Sequence, residues 1–333
     1  MIVEQDLVGN VIAVTGANGF VGRSVLAEIQ RRGGTPIGLV RDDRAAEACG
    51  AQTVRIIGNI DGRTHWQASL EGCDCVIHLA ARVHVMAENA TDPLAAFRRV
   101  NRDGSRRLAQ ECADAGVTRL VLASSIKVNG EETPYEPGTG RDVPFTEQDD
   151  AVPLDDYGLS KHEAERAVFE IAATTELEAA IVRPPLVYGP GVGGNMHRLL
   201  GLVQRGIPLP FGAIDNKRSL IGVRNLASLL IAAGMHPKAA GRTFLAADGS
   251  DLSTTDLVRA LARALDRPAR LLPVPVAILR LLGTLTGKSA EIDRLTKSLR
   301  VDAGAARREL DWSPPVSLEE GFRQMADHFL KSD

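Results

Sequence analysis

Short, almost wholly apolar runs recur through the first half of the chain at Val11–Thr15, Pro36–Val40, Thr53–Ile57, Cys75–Leu79 and Arg119–Ser124. They are brief for helices and lack the strict alternation of a strand with one wet face. Each therefore reads as a strand buried on both faces. Between them lie segments with apolar positions at helical spacing, among them Phe20–Arg32 and Asp92–Ala115. Alternation of this kind predicts an α/β fold, a doubly wound parallel sheet covered by helices on both sides.

A further helix, Tyr157–Thr174, leads into the apolar run Ala179–Val182, which ends at Arg183-Pro184-Pro185. Beyond it the pattern loosens into shorter helices, Met196–Gln204, Asn225–Met235 and Thr254–Leu265. Asp311-Trp-Ser-Pro-Pro315 then punctuates the chain before an amphipathic stretch, Leu318–Leu330. The pattern predicts a first domain over residues 1–180 and a smaller mixed α/β lobe over 181–333, with 216–236 packing back onto the first domain. The apolar stretch Leu271–Leu285 is interrupted by Pro273, Pro275 and Arg280, and falls short of the ~20 clean residues of a membrane span. A packed or interfacial helix near Val276–Leu285 is the better reading.

Composition changes this picture little. Apolar residues make up 44% and charged residues 24% of the 333, with a formal net charge of −3. Bulk electrostatics thus gives no reason to expect a nucleic-acid or membrane partner. The seven histidines show no metal-ligand spacing, and Cys49, Cys73, Cys75 and Cys112 cannot form paired zinc-ligand motifs. No metal is expected, and reduced thiols in a cytoplasmic protein are. Residues 1–10 carry acids and no apolar core, unlike a signal peptide.

Chemistry enters with the first strand, which runs into Gly16-Ala-Asn18-Gly19-Phe20-Val21-Gly22 and a helix. Glycines here permit a tight turn (Gly16), close backbone approach to a pyrophosphate (Gly19) and close helix–sheet packing (Gly22). The helix N-terminus supplies the donors. This context marks a Rossmann-type site for NAD or NADP. At the tip of the second strand Arg41 precedes Asp42; an arginine there can pair with a 2′-phosphate, which favours NADPH. Gly58-Asn59-Ile60-Asp61 falls where adenine contacts are expected. The small residues of His78-Leu79-Ala80-Ala81 can pass under the cofactor.

Tyr157 and Lys161 lie four residues apart on one helix face. A phenol is a poor base at neutral pH; lowering its pKa by ~3 units requires about 4 kcal/mol, which a neighbouring ammonium and a cationic nicotinamide ring can supply. The strand end Ser124-Ser125 offers a hydroxyl to orient a reacting sugar oxygen.

With these residues the chain resembles extended short-chain dehydrogenases/reductases, in particular the nucleotide-sugar epimerase/dehydratase/reductase group. The resemblance rests on Thr15-Gly-Ala-Asn-Gly-Phe-Val-Gly22, His78-Leu-Ala-Ala81, Asn101-x-x-Gly104, Ser124-Ser125, Tyr157-x-x-x-Lys161 and Arg183-Pro-Pro-Leu-Val-Tyr-Gly-Pro-Gly191. It implies catalytic roles for Ser125, Tyr157 and Lys161, and cofactor contacts that extend to Asn101 and Pro184. It also implies that Asn195, Arg218 and, more weakly, Arg294 meet the diphosphate of a UDP-sugar or related nucleotide sugar. Relatives often dimerise through two helices per subunit, here Asp92–Ala115 and Tyr157–Thr174, although nothing in the sequence requires a homodimer.

Elimination of water needs carboxylates after the catalytic serine, and Ile126 and Lys127 stand there instead. The stretches Ser124–Gly130, Leu272–Pro275 and Ser298–Asp302 look most like bacterial 4-reductases of UDP-linked 4-keto-6-deoxy-N-acetylhexosamines in polysaccharide precursor synthesis, with Tyr157 as proton donor. The alternative is an NAD-dependent UDP-hexose 4-epimerase; a non-catalytic NAD(P)-binding regulator is a remote third reading. Lys127 is a candidate contact to the sugar or diphosphate, or a brace for its loop. The polar loop Glu131–Asp150 is expected to be mobile and to order with substrate.

Overall fold

The computed structural model describes residues 6–83, 91–136, 138–140 and 142–332. Nine strands are present among them: β1 (Val11–Thr15), β2 (Thr35–Val40), β3 (Thr53–Ile56), β4 (Cys75–His78), β5 (Arg119–Ala123), β6 (Glu178–Arg183), β7 (Leu186–Tyr188), β8 (Leu220–Gly222) and β9 (Arg242–Leu245). Seven form one parallel sheet in the order β3-β2-β1-β4-β5-β6-β9. Strand order reverses direction between β1 and β4, and the crevice above their C-terminal ends is where an open α/β sheet binds ligands.

The unbroken apolar runs follow from burial on both faces. In β1, Ile12 and Val14 join one hydrophobic layer with Ile77, Val121 and Leu229, whereas Ala13 joins the opposite layer with Leu39, Val76 and Leu120. The helix Phe20–Arg31 covers the first layer together with Val223–Met235, which packs against it. The second layer is covered by Gly104–Asp114 and Asp156–Ala172.

Three features depart from the sequence pattern. The segment 92–115 is not one regular helix: Pro93–Arg98 and Gly104–Asp114 flank a π-helical turn, Arg99–Asp103, which brings Asn101 inward. The boundary placed at residue 180 falls inside β6, and β9 returns from the second half of the chain to pair with it. Only the partner strand reveals so short a run as Arg242–Leu245. Finally, the loop from Glu131 is tied down at several points. Thr133 N–H donates to the Ser298 carbonyl at 2.9 Å, and Phe145 N–H donates to the Arg300 carbonyl at 2.9 Å. Asn129 Nδ2 holds the Thr146 carbonyl at 3.1 Å.

The remaining residues build a second cluster in which Met196, Leu200, Leu261, Phe322 and Phe329 surround Tyr188. Tyr188 stands on β7, which pairs in parallel with β8. Its phenol donates to Asp248 at 2.7 Å, and Asp248 also accepts from Gly222 N–H and Asn225 Nδ2. No helix among the described residues is long and apolar enough to cross a membrane.

Candidate active site

The glycine turn is built by backbone alone. Gly16 has φ +63°, and a Cβ there would lie 3.0 Å from the Ala80 nitrogen, so the end of β4 passes directly against the turn. A Cβ on Gly22 would lie 2.3 Å from the Gly16 oxygen, a contact that no side chain can make. Gly19 is the N-cap of the helix Phe20–Arg31 and provides no side-chain cap, nor does any acid occupy the first turn. The first amides of this helix, at Phe20 and Val21, are therefore left for an anion. The Asn18 carbonyl is held by Arg23 at 3.1 Å. A dinucleotide pyrophosphate fits this cradle.

Beneath it lies a network that the sequence motifs contain but do not explain. The Thr15 hydroxyl accepts the Leu79 and Ala80 N–H groups, each at 3.1 Å, and lies 2.7 Å from His78 Nδ1. Because the hydroxyl already accepts twice, its own proton points to Nδ1. His78 then carries its proton on Nε2 and donates to Ser105 Oγ at 3.1 Å. Burial and the Lys161 charge push the imidazole down to about 3, so it stays neutral. A neutral His78 and Thr15 thus lock Leu79-Ala80-Ala81 against the glycine turn. The signal in the sequence was a lone histidine ending an apolar strand before Leu79-Ala80-Ala81.

Ser125 caps a short turn at the end of β5, its Oγ accepting the Lys127 N–H at 3.2 Å, while Ile126 N–H is held by the Pro184 carbonyl at 3.0 Å. Pro184 therefore fixes the serine segment from β6. The Ser125 hydroxyl faces the Tyr157 phenol and favours its ionisation. Lys161 is fully buried and donates to the Ala123 carbonyl at 2.7 Å. The structure thus places Ser125 and Lys161 at the C-terminal end of β5, with Tyr157 one helical turn before Lys161. Next to them the Ser124 hydroxyl is buried without a partner among the described residues, a polar atom left over for a cofactor amide.

Electrostatics correct the simple picture of a lysine-activated phenol. Burial pushes Tyr157 up to about 12, Asp155 adds to that rise, and the Ser125 hydroxyl opposes it. Lys161 is itself pushed down to about 8 by burial, with Glu165 opposing. The protein alone holds the phenol protonated. Lowering its pKa from there to about 7 takes roughly 7 kcal/mol, towards which a cationic ring would contribute.

Several expected contacts are placed differently. Both N–H groups of the Asn101 amide are used inside the protein, on the Arg82 carbonyl at 3.0 Å and Ser160 Oγ at 2.9 Å, and its oxygen accepts the Arg82 N–H. Asn101 thus clamps the π turn to the active-site helix. Arg41 pairs with Asp42 at 3.0 Å, and Asp42 in turn caps the following helix through the Ala45 N–H. The guanidinium is thus no dedicated 2′-phosphate site. Asn59 is exposed, its carbonyl accepting from Thr64, and Ile60 packs against Gly104.

Lys127 bridges two carboxylates, Glu131 at 2.7 Å and Asp155 at 2.5 Å. Asp155 also caps the active-site helix by accepting the Gly158 N–H at 2.7 Å. The brace, among the two roles weighed for Lys127, is therefore present in the fold. Arg218 is half-buried and donates to the Arg294 and Lys297 carbonyls at 3.0 and 3.2 Å. Arg218 and Arg294 are thereby brought together. Asn195 is exposed on a different element, in the first turn of the helix Gly194–Gln204.

The model of the NAD dependent epimerase/dehydratase family matches residues 12–247. A UDP-glucose 4-epimerase of Vibrio cholerae is 42% identical over 330 residues, covering 97% of this chain and 96% of its own. Among solved structures, a UDP-glucose 4-epimerase of Thermotoga maritima with UDP-glucose superposes with a TM-score of 0.75 at 21% identity, covering 97% of this chain and 99% of that one. A UDP-glucuronic acid 4-epimerase of Bacillus cereus in complex with NAD gives 0.75 at 19%, with the same coverage. The matched region spans the glycine turn, the Ser125–Tyr157–Lys161 cluster and all seven strands of the large sheet, and this chain belongs to the NAD dependent epimerase/dehydratase family.

Proposed function

We propose that this protein is a UDP-hexose 4-epimerase, interconverting UDP-glucose and its C4 epimer, with NAD as a resident cofactor in the cytoplasm. The observation that carries this reading is the intact Ser125–Tyr157–Lys161 cluster over the glycine cradle, in a chain 42% identical across 97% of its length to a UDP-glucose 4-epimerase. That relative favours epimerisation over the reductase that local sequence stretches resemble. NAD is favoured over NADPH because the family is NAD dependent and Arg41 is already paired with Asp42.

The cradle Gly16–Gly22 holds the pyrophosphate, and Lys161 with the Ser124 hydroxyl faces the nicotinamide end. NAD, when bound, supplies a reversible hydride acceptor and a positive charge. Tyr157 takes the proton of the sugar 4-hydroxyl as C4 is oxidised, and returns it when the other face is reduced. Ser125 shares a hydrogen bond with that oxygen and the phenol. Arg218, Arg294 and Asn195 are the candidates for holding the diphosphate while the 4-keto sugar turns over.

The test is to supply purified protein with UDP-glucose alone and follow formation of UDP-galactose. Turnover without added cofactor, with NAD released on denaturation, is the expected result. Stoichiometric NADPH consumption with a UDP-4-keto-6-deoxy-N-acetylhexosamine, and no epimerisation, would make it a reductase.

A further inference from the structure

The helix Val276–Leu285 is apolar on nearly every side and yet largely uncovered. Only Leu279 and Gly283 are buried on it, and Gly283 packs against Ile292 of the next helix. Ile278, Leu281, Leu282 and Leu285 are spaced as one helical face and are 48, 59, 50 and 73% exposed; Leu272 just before them is 51% exposed. A helix that is hydrophobic all round is ordinarily buried in a core or a membrane. Clustered exposed leucines of this kind mark a contact surface.

Charge identifies the partner. Between Asp266 and Glu291 there is no acidic residue, while Arg267, Arg270, Arg280 and Lys288 all fall in this interval. All four are exposed, and none forms an ion pair among the described residues. The chain as a whole carries −3, so this one segment is of opposite sign to the remainder. Cations flanking an exposed leucine face, on a helix too short to span, are the pattern of a segment lying in the headgroup region of an anionic bilayer.

From this combination we infer that the face formed by Leu272, Ile278, Leu281, Leu282 and Leu285, with Arg280 and Lys288, docks the protein reversibly on an anionic membrane surface. The docking element is connected to the candidate site: the next helix, Ser289–Thr296, carries Arg294, whose carbonyl Arg218 holds. Its root is a backbone ladder in which Leu209 N–H donates to the Arg270 carbonyl and Leu272 N–H donates to the Leu209 carbonyl, both at 2.8 Å. Docking would therefore present the substrate lobe to the membrane without any change in the catalytic cluster.

The experiment is sedimentation of the full-length protein with vesicles of phosphatidylglycerol and phosphatidylcholine in equal parts, and with phosphatidylcholine alone. Binding to the anionic vesicles only, weakened by salt, is expected. Leu281→Asn with Leu285→Asn should reduce it at least tenfold. Arg280→Ala with Lys288→Ala should reduce it about fivefold per cation removed. Both variants should keep wild-type thermal midpoints and wild-type turnover of soluble substrate. Absence of wild-type binding, or binding unchanged in the two double variants, overturns the inference. So does a dimer in solution that dissociates on Leu281→Asn with Leu285→Asn, which would show that a second copy covers this face.

Discussion

The floor of the crevice and its rim are built on different physics. The floor consists of strand ends, glycine backbone and buried neutral groups: Gly16 against Ala80, Thr15 and His78 beneath them, and Lys161 on a main-chain carbonyl. The rim consists of partly exposed charges that satisfy one another, with Lys127 between Glu131 and Asp155, and Lys297 between Glu132 and Asp293. A floor made of close backbone contacts tolerates almost no change in shape. A rim of solvated ion pairs can be altered at modest cost, because each pair contributes little. Tyr157 stands where the two meet, its phenol raised by burial and by Asp155 and lowered by the Ser125 hydroxyl.

Tyr157→Phe should sharpen this contrast most. Loss of the proton-transfer group is expected to lower kcat by about 10²- to 10⁴-fold while the thermal midpoint stays near wild type. Steady-state epimerisation and a melting curve on the same sample check both halves, and a variant retaining most of its turnover would remove Tyr157 from the mechanism.

Lys161 tests the floor through pH. Its ammonium is pushed down to about 8 in the folded protein from an ordinary 10.5. Between those values the unfolded chain holds more protons at this lysine, so folding stability from this group rises with pH across the window. Relative to Lys161→Met, the wild type should gain up to about 3 kcal/mol between pH 8 and 10.5. Denaturant titrations of the pair at several pH values measure it; a constant difference would mean that the lysine is not desolvated.

Gly22→Ala attacks the floor sterically. Its Cβ would sit 2.3 Å from the Gly16 oxygen, so the turn must move. Overpacking of this kind costs about 1–3 kcal/mol; if the displaced turn must be restored to bind NAD, affinity by calorimetry should fall roughly five- to 150-fold. Unchanged affinity would show that the turn is softer than its packing implies.

Lys127→Ala probes the rim and should have the smallest effect. Removing the ammonium leaves Asp155 unneutralised two residues from Tyr157, which discourages the phenolate further. A few-fold loss of kcat with little change in KM is expected. A tenfold rise in KM at unchanged kcat would instead place Lys127 on the substrate, and the rim would then be part of the binding machinery.

How much of this was legible in the chain depended on the range of the forces involved. β1 was read from sequence with its bounds as observed, because four apolar residues and a threonine before a glycine turn form a buried strand. The glycine cradle and the i, i+4 tyrosine–lysine pair were legible for the same local reason. The π turn at Arg99–Asp103 was not, since its sequence is ordinary for a helix and the turn is held open by Asn101 bonding to Arg82 and Ser160. Arg41 misled because its partner is the adjacent Asp42, and a sequence cannot say which way a side chain turns.

Sequence by itself determined the doubly wound α/β fold and the dinucleotide class of ligand. Those properties depend on periodicity, backbone conformation and functional-group chemistry, all local to short stretches. The tertiary structure alone decided that His78 is a neutral structural group, that Tyr157 rests protonated, that Lys127 is paired and that β9 completes the sheet. Each of those outcomes is set by burial and by partners distant in the chain, and only the folded arrangement fixes how far a charge is removed from water.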